Sequence, residues 1–439
     1  MKLAVVAQRY GADINGGAEL HARYIAERLA RHAEVEVLTT CARDYVTWRN
    51  ELPAGEDRVN GIRVLRFPVR RPRDPDRFGR RSERVFNQTH SDADEHAWLE
   101  EEGPAAPGLV KHLARGRTGW DFVVFFSYRY YHAYYGAAAV PDRALLVPTA
   151  ERDPAAGVSL FGPLFRGVRA LMYNSHEERA LIEGVSGNTS VPGVVVGVGS
   201  EIPERTDAER FRRKHGITRR FALYVGRIDE NKGCKELFDF HRRYARAEPD
   251  PLQLVLCGHS LLPIPDTPHV RHLGFVSDED KFDALAAADL LVMPSYYESL
   301  SIVALEAWAV GRPVLANARC DVLKGQCIRS NAGLYYRGYE EFAEALSWLA
   351  RRRPLAEALG ENGRRYFEQN YAWPVIEGKY LHMIERLRRE PAVASGEWPP
   401  RRPGWRAGRR AVLPPAASVL EQVPAGPVIS RREAEPERL

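Results

Sequence analysis

Short apolar runs alternate with longer amphipathic segments along most of this chain. In its first half, runs rich in Val, Leu and Phe predict strands at residues 3–7, 35–38, 62–67, 122–126, 144–147 and 170–173. The clearest helix is predicted over 18–30, where apolar residues recur at helical spacing directly after Gly16 and Gly17. Strands that alternate with helices are typical of a doubly wound parallel sheet.

The same alternation starts again after the polar, helix-breaking stretch 197–207. Strands are predicted at 222–225, 252–257, 270–273, 290–293 and 314–316, with helices at 235–244, 278–287 and 302–310. The pattern predicts an α/β protein with two Rossmann-like doubly wound domains, 1–200 and 201–374, joined by a hinge. A helix at 375–390 is expected to pack back on the first domain, and the Pro- and Arg-rich segment 391–439 predicts a disordered tail.

Arginines interrupt this rhythm between residues 70 and 95, a segment that predicts an insertion or a mobile loop. The arginines there are Arg70, Arg71, Arg73, Arg77, Arg80, Arg81 and Arg84, and a second cluster runs from Arg401 to Arg410. Either cluster could contact anionic lipid or nucleic acid, but a solvated, mobile face is the favoured interpretation. Nucleic acid is the weakest option, because the arginines lack the interleaved aromatic residues that base stacking needs.

The composition is that of an ordinary globular protein. Of 439 residues, 44% are hydrophobic and 28% charged, the net charge is +5, and no apolar run approaches the roughly 18 residues of a membrane span. The amino-terminal segment resembles a first strand more than a signal peptide, so a soluble, cytoplasmic protein is predicted. The five cysteines are scattered without a Cys-x-x-Cys pair, which indicates neither a disulfide framework nor a thiolate zinc site and predicts buried or idle thiols.

Three turns are candidate sites, because ligands of open α/β sheets bind beyond the carboxyl ends of the strands. The first, residues 8–19, places Gly16 and Gly17 directly before a helix. Glycines allow a ligand to approach the backbone, and the free N–H groups of the first helical turn favour an anion. The spacing lacks the Gly-x-Gly-x-x-Gly dinucleotide fingerprint, and a structural role is as well supported as phosphate binding.

The second turn, residues 226–233, carries Arg227 and Lys232 at the carboxyl end of a strand. A planar guanidinium and a compact ammonium together suit a diphosphate, and they would offset negative charge that develops on a leaving nucleotide. Ion pairs with Asp229 and Glu230 are an equally supported interpretation of this turn in isolation.

The third turn, residues 294–306, carries Glu298 just before a helix and Glu306 inside that helix, among apolar neighbours. A carboxylate on an apolar helix face is costly unless it has hydrogen-bond donors. The vicinal hydroxyls of a ribose would serve, and so would an Arg or Lys partner.

Together these motifs resemble the retaining glycosyltransferases of family 4, also grouped as glycosyl transferases group 1, which have the two-domain GT-B fold. Residues 298–306 are similar to the Glu-x7-Glu motif of that family, and residues 226–233 to its Gly-Arg-x-x-x-x-Lys-Gly donor loop. Further matches, in the family's order, are residues 254–258, 272–276, 288–289 and 309–314. The resemblance covers about residues 1–388 and is dense in the second domain.

The resemblance implies that the two domains face each other across a cleft that binds a nucleoside diphosphate sugar. Arg227 and Lys232 would bind the diphosphate and stabilise it as the leaving group, and Glu298 would face the transferred sugar. The other residues implied to bind the donor are Glu306, which would hold the ribose, Ser299, Leu300, Ser301 and Ile302 at the helix N-terminus, and Gly16 and Gly17. No metal or other cofactor is expected, because the two cations and the helix dipole neutralise the charge.

Two departures from the family pattern concern the sugar. The family commonly has Glu-Gly-Phe-Gly where this chain has residues 298–301 as Glu-Ser-Leu-Ser, which narrows the pocket beside the donor sugar. Many members also have a His after a first-domain strand, whereas the matching stretch here has none, and Glu151 or Asp153 is expected near the anomeric centre instead. His132 and His176 are predicted to be ordinary surface or turn residues.

The function implied is transfer of a hexose, with retention at the anomeric carbon, to a hydroxyl of a saccharide or lipid-linked saccharide. Cell-surface polysaccharide or glycoconjugate biosynthesis is the expected setting, and a lipid-linked acceptor would require peripheral contact with anionic lipid at the inner face of the membrane. One alternative is a GT-B nucleotide-sugar-binding or scaffold protein without catalysis. Another is a metal-dependent GT-A transferase, for which Asp-x-Asp occurs at 74–76, 92–94 and 278–280, although none of the three ends an apolar strand.

Overall fold

The computed structural model describes residues 1–14, 16–116 and 119–392. The strands of its first domain are β1 (Lys2–Val6), β2 (Glu34–Thr40), β3 (Gly55–Val59), β4 (Ile62–Phe67), β5 (Phe122–Phe126), β6 (Ala144–Val147), β7 (Ala170–Tyr173) and β8 (Gly193–Val195). They form one sheet in the order β3-β4-β2-β1-β5-β6-β7-β8, in which only the β3–β4 pair is antiparallel. The helices are α1 (Gly17–Leu29), α2 (Pro75–Asn87), α3 (Asp92–Glu102), α4 (Pro107–Arg115), α5 (Tyr131–Ala139), α6 (Phe161–Gly167) and α7 (His176–Ser186), with a short 3₁₀ helix at Pro154–Gly157.

The second domain contains a fully parallel sheet. Its strands are β9 (Phe221–Val225), β10 (Gln253–Cys257), β11 (Val270–His272), β12 (Leu290–Met293), β13 (Val314–Asn317) and β14 (Gly333–Tyr336), in the order β11-β10-β9-β12-β13-β14. The helices are α8 (Ala208–His215), α9 (Cys234–Ala247), α10 (Asp278–Ala287), α11 (Ile302–Ala309), α12 (Asp321–Ser330), α13 (Tyr339–Arg351), α14 (Arg353–Asn370) and α15 (Trp373–Arg389).

The strand sequences explain the layered architecture. Strands such as β5 and β6 are continuous apolar runs with every residue buried, as expected when helices cover both faces of a parallel sheet. The α/β fold with two doubly wound domains is confirmed, and all the predicted strands are present with their ends displaced by at most two residues. Each sheet reverses its strand order once, between β1 and β5 in the first domain and between β9 and β12 in the second.

The last helix, α15, crosses back to the first domain. Trp373 packs edge-on against Tyr24 of α1, and its ring lies 4.6 Å from the guanidinium carbon of Arg28. Glu377 accepts a hydrogen bond from His32 at 2.9 Å, so polar contacts flank the apolar ones. Because α15 packs on both domains, one continuous apolar cluster extends from the first sheet to the second.

The arginine-rich segment 70–95 is ordered, so of the two predicted alternatives, an insertion or a mobile loop, the mobile loop is wrong. It forms α2 and leads into α3, with Asp74 capping α2 and a capping box of Ser91 and Asp94 at the start of α3. Phe78 and Phe86 of α2 pack on the fully buried Trp98 of α3. Few apolar residues, spaced across two helices, hold the segment together, and their pattern is hidden by the surrounding arginines.

Most of these arginines are neutralised by acidic residues of α3. Arg71 and Arg77 both contact Glu101, whose side chain is only 2% exposed, and Arg73 contacts Glu102 at 2.9 Å. Two further pairs join Arg70 to Glu100 and Arg84 to Asp94. The segment is therefore far less basic as a surface than its sequence implies.

The predictions for the cysteines were confirmed, and of those for the two histidines one was wrong. The five cysteines are free and buried, as predicted. His176 is exposed at the start of α7. The prediction of a surface position for His132 is wrong, because it is fully buried in α5, where its Nε2 donates to the Phe126 carbonyl oxygen at 3.2 Å. Burial lowers the pKa of His132 to about 4. The second arginine cluster, 401–410, and all but the first two residues of the predicted tail lie outside the described residues.

The Asp-x-Asp matches have structural explanations. Residues 74–76, 92–94 and 278–280 all lie at helix N-termini, where acidic residues interact favourably with the backbone N–H groups. Over the ranges the structure describes, no group of three metal-ligating side chains comes together, and no helix combines the length and apolarity needed to cross a membrane.

Glu102 provides a test of how the helical segment is held. Glu102→Gln removes the contacts with both Arg73 and Arg129 from a side chain that is 4% exposed, so it should lower the free energy of unfolding by about 2–4 kcal/mol. Glu100→Gln is the matched control, since its partner Arg70 is exposed, and it should cost less than about 1 kcal/mol. Denaturant titration measures the free energy of unfolding of the two variants. Equal losses would contradict the conclusion that Glu102 holds the segment in place.

Candidate active site

The candidate side chains of the second domain meet at the switch point of its sheet. Arg227 and Lys232 follow β9, and Glu298 follows the neighbouring strand β12. The ammonium of Lys232 lies 2.7 Å from the Glu298 carboxylate. A cation from one predicted motif and a carboxylate from another thus form one ion pair, although 66 residues separate them.

The turn after β9 is organised by Asp229, a residue that is 7% exposed. Its carboxylate accepts hydrogen bonds from the Lys232 backbone N–H, at 2.8 Å, and from the Arg227 side chain. The ion-pair interpretation of this turn is therefore right for Arg227, whose side chain nevertheless stays 45% exposed, while Lys232 turns to Glu298 instead.

Gly233 allows the two turns to approach so closely. Its φ is +70°, in the left-handed region, and a Cβ at this position would lie 2.1 Å from the Pro294 carbonyl oxygen. The turn after β9 therefore lies directly against the turn after β12. This contact sets the distance over which Lys232 reaches Glu298.

The charges of this pair depend on each other. Burial alone would lower the pKa of Lys232, but the contact with Glu298 more than compensates and holds that pKa above its ordinary value. Lys232 is therefore charged at neutral pH, although its side chain is only 31% exposed.

Glu151 faces this pair from the first domain. It lines the same cavity as Glu298, and burial together with the Glu298 charge raises its pKa to about 7. Asp153, the other acidic candidate, instead caps the 3₁₀ helix and contacts Arg129 at 2.8 Å. Of the two acidic residues considered in place of the missing histidine, Glu151 is the one that lies in the cleft.

Beneath Glu151 lies a second carboxyl group, Glu178, which sequence reasoning missed. It is 1% exposed and accepts a hydrogen bond from the Ala150 backbone N–H at 2.5 Å, so it fixes the position of the loop that carries Glu151. Burial raises the pKa of Glu178 to about 8. Nothing in the local sequence of α7 distinguishes this residue from a surface glutamate.

Glu306 lies in α11 and is 2% exposed. One of its oxygens, Oε1, accepts hydrogen bonds from Ser200 Oγ at 2.6 Å and from Lys281 Nζ at 2.9 Å. The other, Oε2, is buried without a hydrogen-bond partner among the described residues. The expected Arg or Lys partner is thus present as Lys281, and one oxygen remains available to a further donor.

The helix that follows Glu298 begins as predicted. Ser301 is its N-cap and accepts from the Ala304 N–H at 3.3 Å, while Ser299 and the buried Leu300 form the approach to Ile302. The first N–H groups of a helix have no intrahelical acceptor, so this helix end directs free donors and a positive dipole toward the turn.

In the first domain, α1 begins at Gly17, with Gly16 as its N-cap. A Cβ on Gly16 would lie 2.1 Å from the Glu19 carboxylate, which bonds Arg9 at 2.7 Å, whereas Gly17 has open space around it. A side chain at position 16 would therefore displace the Glu19 carboxylate, whereas Gly17 leaves the backbone accessible.

Comparison with known proteins identifies the second domain. Residues 207–366 match the family model described as glycosyl transferases group 1. The second domain is thus similar to the glycosyl transferases group 1. A D-inositol 3-phosphate glycosyltransferase of Corynebacterium jeikeium is 28% identical over 336 residues, which are 69% of this chain and 77% of that protein.

Solved structures extend the likeness to both domains. Sucrose-phosphate synthase from Thermosynechococcus elongatus superposes with a TM-score of 0.64 at 18% identity, over 88% of this chain and 99% of that one. HepE of Anabaena, in complex with UDP-glucose, superposes with a TM-score of 0.62 at 17% identity, over 88% of this chain and 100% of that one. The fold is therefore GT-B, and a GT-A transferase is excluded.

Gly233→Ala tests whether close approach of the two turns builds the site. The added methyl group should push the turns apart and lower the free energy of unfolding by several kcal/mol, well beyond the roughly 1–3 kcal/mol of left-handed strain alone. Gly216→Ala is the matched control, because its φ is +62° with no atom within 4 Å of the added carbon. Thermal unfolding compares them, and equal effects would show that the contact with Pro294 is unimportant.

The raised pKa of Glu151 predicts a pH-dependent stability. Between about pH 4.5 and 7 the folded protein keeps a proton that the unfolded chain has released, so this group's contribution to stability is lost as the pH rises through that window. Glu151→Gln should therefore be more stable than the wild type at pH 8, by up to about 3 kcal/mol, and equal to it near pH 4. Glu183→Gln, an exposed change on α7, is the control. If the stability of the wild type and of Glu151→Gln changed with pH in the same way, the raised pKa of Glu151 would be contradicted.

Proposed function

We propose that this protein transfers a hexose from a nucleoside diphosphate sugar to a hydroxyl acceptor, with retention at the anomeric carbon. The observation that carries the proposal is the Lys232–Glu298 contact at the switch point, with Arg227 beside it and the first-domain residue Glu151 facing it. An ammonium and a guanidinium at this position suit a diphosphate, and the carboxylates suit sugar hydroxyls. The UDP-glucose complex of a protein with the same fold supports a nucleotide sugar as the donor.

Each predicted site residue has a role in this proposal. Arg227 and Lys232 contact the diphosphate, the N–H groups from Ser299 to Ile302 point at it from the start of α11, and Glu298 accepts hydrogen bonds from the sugar. The free Oε2 of Glu306 accepts from the ribose, and the open backbone at Gly17 lets the first domain approach the same phosphates. Gly16 maintains that helix start.

The chemical step then follows from the charges. The acceptor oxygen bonds to the anomeric carbon on the face from which the diphosphate departs, the carbon–oxygen bond to the diphosphate breaks, and the acceptor hydroxyl gives its proton to the departing diphosphate oxygen. Negative charge grows on the diphosphate, next to two cations and a helix N-terminus that are already in place. We propose that these groups neutralise it without a metal ion or other cofactor.

The acceptor in this proposal is a saccharide or lipid-linked saccharide, in cell-surface polysaccharide or glycoconjugate biosynthesis at the cytoplasmic side of the membrane. Contact with anionic lipid is the least supported part, because Arg70, Arg71, Arg73, Arg77 and Arg84 are already in ion pairs with α3. Arg80 and Arg81 are the members of the cluster left for such a contact.

Turnover of labelled donors tests the proposal. Arg227→Ala and Lys232→Ala should each lower the rate by roughly 10²–10³-fold, because the leaving diphosphate loses a cation. Lys235→Ala is the control, since its ammonium is 77% exposed and contacts Glu230 at 3.2 Å, and its rate should stay within about twofold of the wild type. Excess chelator in the same assay should leave the wild-type rate unchanged.

The donor panel separates this enzyme from the alternative. A thermal-shift screen of nucleotide sugars identifies the donor, because a ligand that binds only the folded form raises the melting temperature. Binding of a donor without hydrolysis or transfer would favour a scaffold protein, and wild-type rates in both alanine variants would overturn the assignment of the site.

A further inference from the structure

A cavity of about 270 Å³ lies between the two domains beside Glu298. Its first-domain wall comes from the loop after β6 and from α7, and its second-domain wall comes from the turns after β12 and β13. Its lining includes Glu151, Glu177, Glu178, Glu298, Arg152 and Arg319. The cavity is of a size for one small ligand rather than a whole nucleotide sugar.

Carboxyl groups dominate the lining, and the arginines there are already engaged. Arg152 contacts Asp321 at 3.2 Å, and Arg319 contacts Glu236 at 2.8 Å and the Arg337 carbonyl oxygen at 3.0 Å. Glu177, in turn, is held by Arg329 at 2.9 Å. Arg319 is therefore held by other partners, and the Arg152 side chain, which is 78% exposed, lies mostly in solvent rather than inside the cavity.

Glu151 is the exception among the carboxyl groups. Glu298 forms an ion pair with Lys232, and Glu178 accepts a hydrogen bond from the Ala150 N–H. Within the described ranges, no hydrogen bond or ion pair involves the Glu151 carboxyl group. Its cationic neighbours are Lys232, which bonds Glu298, and Arg129, which bonds Glu102 and Asp153. Glu151 thus presents unused hydrogen-bond acceptors to the cavity.

The rest of the lining suits a sugar ring. Tyr297 is 45% exposed, and it stands near Tyr296 and apolar residues such as Leu181, so the cavity combines an aromatic surface with hydrogen-bond acceptors. C–H faces of a hexose pack on aromatic rings, while its hydroxyls donate to carboxylates.

We propose that this cavity holds the transferred sugar and that Glu151 is a specificity-determining residue, selecting a hexose with hydroxyl or amino groups there and rejecting a hexuronic acid. The inference rests on the proposed function and adds the chemical class of the sugar. A hydroxyl or ammonium donates to Glu151, whereas a second carboxylate, once Glu151 is ionised, meets the charges of Glu151 and Glu298 in a partly buried site.

Two donors that differ only at C6 test this directly. UDP-glucose carries a hydroxymethyl group where UDP-glucuronic acid carries a carboxylate, and UDP alone gives the reference affinity. Isothermal titration calorimetry at about pH 8.5, where Glu151 is ionised, should show the wild type binding UDP-glucose about tenfold or more tighter than UDP-glucuronic acid. If the donor screen selects guanosine nucleotides, GDP-mannose and GDP-mannuronic acid form the same comparison.

Glu151→Gln keeps the size of the side chain and removes its charge. This substitution should reduce the preference for UDP-glucose over UDP-glucuronic acid at least about fivefold, chiefly because UDP-glucuronic acid binds more tightly. Glu183→Gln, the same change on the exposed face of α7 and outside the cavity, should leave the ratio unchanged. A wild-type ratio near one, or a ratio unaltered by Glu151→Gln, would overturn the inference.

These outcomes are distinguishable from failure of the proposed function. If neither UDP, GDP nor any sugar nucleotide binds, the glycosyltransferase proposal fails and the sugar class fails with it. If the nucleotide binds and both sugars bind equally well, only the role of Glu151 is wrong. The wild-type comparison decides this even if Glu151→Gln does not fold.

Discussion

The arrangement of the site depends on one close backbone contact, that of Gly233 with the Pro294 carbonyl oxygen. Because Gly233 has no Cβ, the turns after β9 and β12 can touch, and Lys232 reaches Glu298 at 2.7 Å. A partly buried ion pair gains little over its desolvation cost, so stability alone explains it poorly. In the proposed function, the pair keeps a cation charged and fixed at the position where the diphosphate would bind.

The fold was predictable where strands are buried on both faces. Continuous apolar runs locate β5, β6 and β12 because a parallel sheet covered by helices admits little else. The strands not predicted are of another kind: β3 is an edge strand with four exposed residues, β8 has three residues, and β14 is half-buried. Such strands are defined by backbone pairing with a neighbour, which leaves no apolar pattern in their own sequence.

The site also contains residues that the sequence predicts and residues that it does not. Strand-to-helix turns with unusual residues can be read in sequence, so Arg227, Lys232 and the two glutamates of the third turn were predicted as candidates. Their partners could not be found in this way, because Ser200 lies 106 residues from Glu306 and Lys281 belongs to a different helix. Glu178 was missed for the same reason, since its burial is a consequence of how α7 packs against the loop after β6.

The distribution of charge also bears on how the two domains come together. Glu151 of the first domain lies near Glu298 of the second, and this like-charge contact disfavours the observed contact between the domains. Two ion pairs between the domains, Arg152 with Asp321 and Arg329 with Glu177, favour it. In the proposed function, a sugar that donates hydrogen bonds to both glutamates would replace the repulsion with two favourable contacts. Substrate selection and the contact between the domains would then depend on the same carboxyl group.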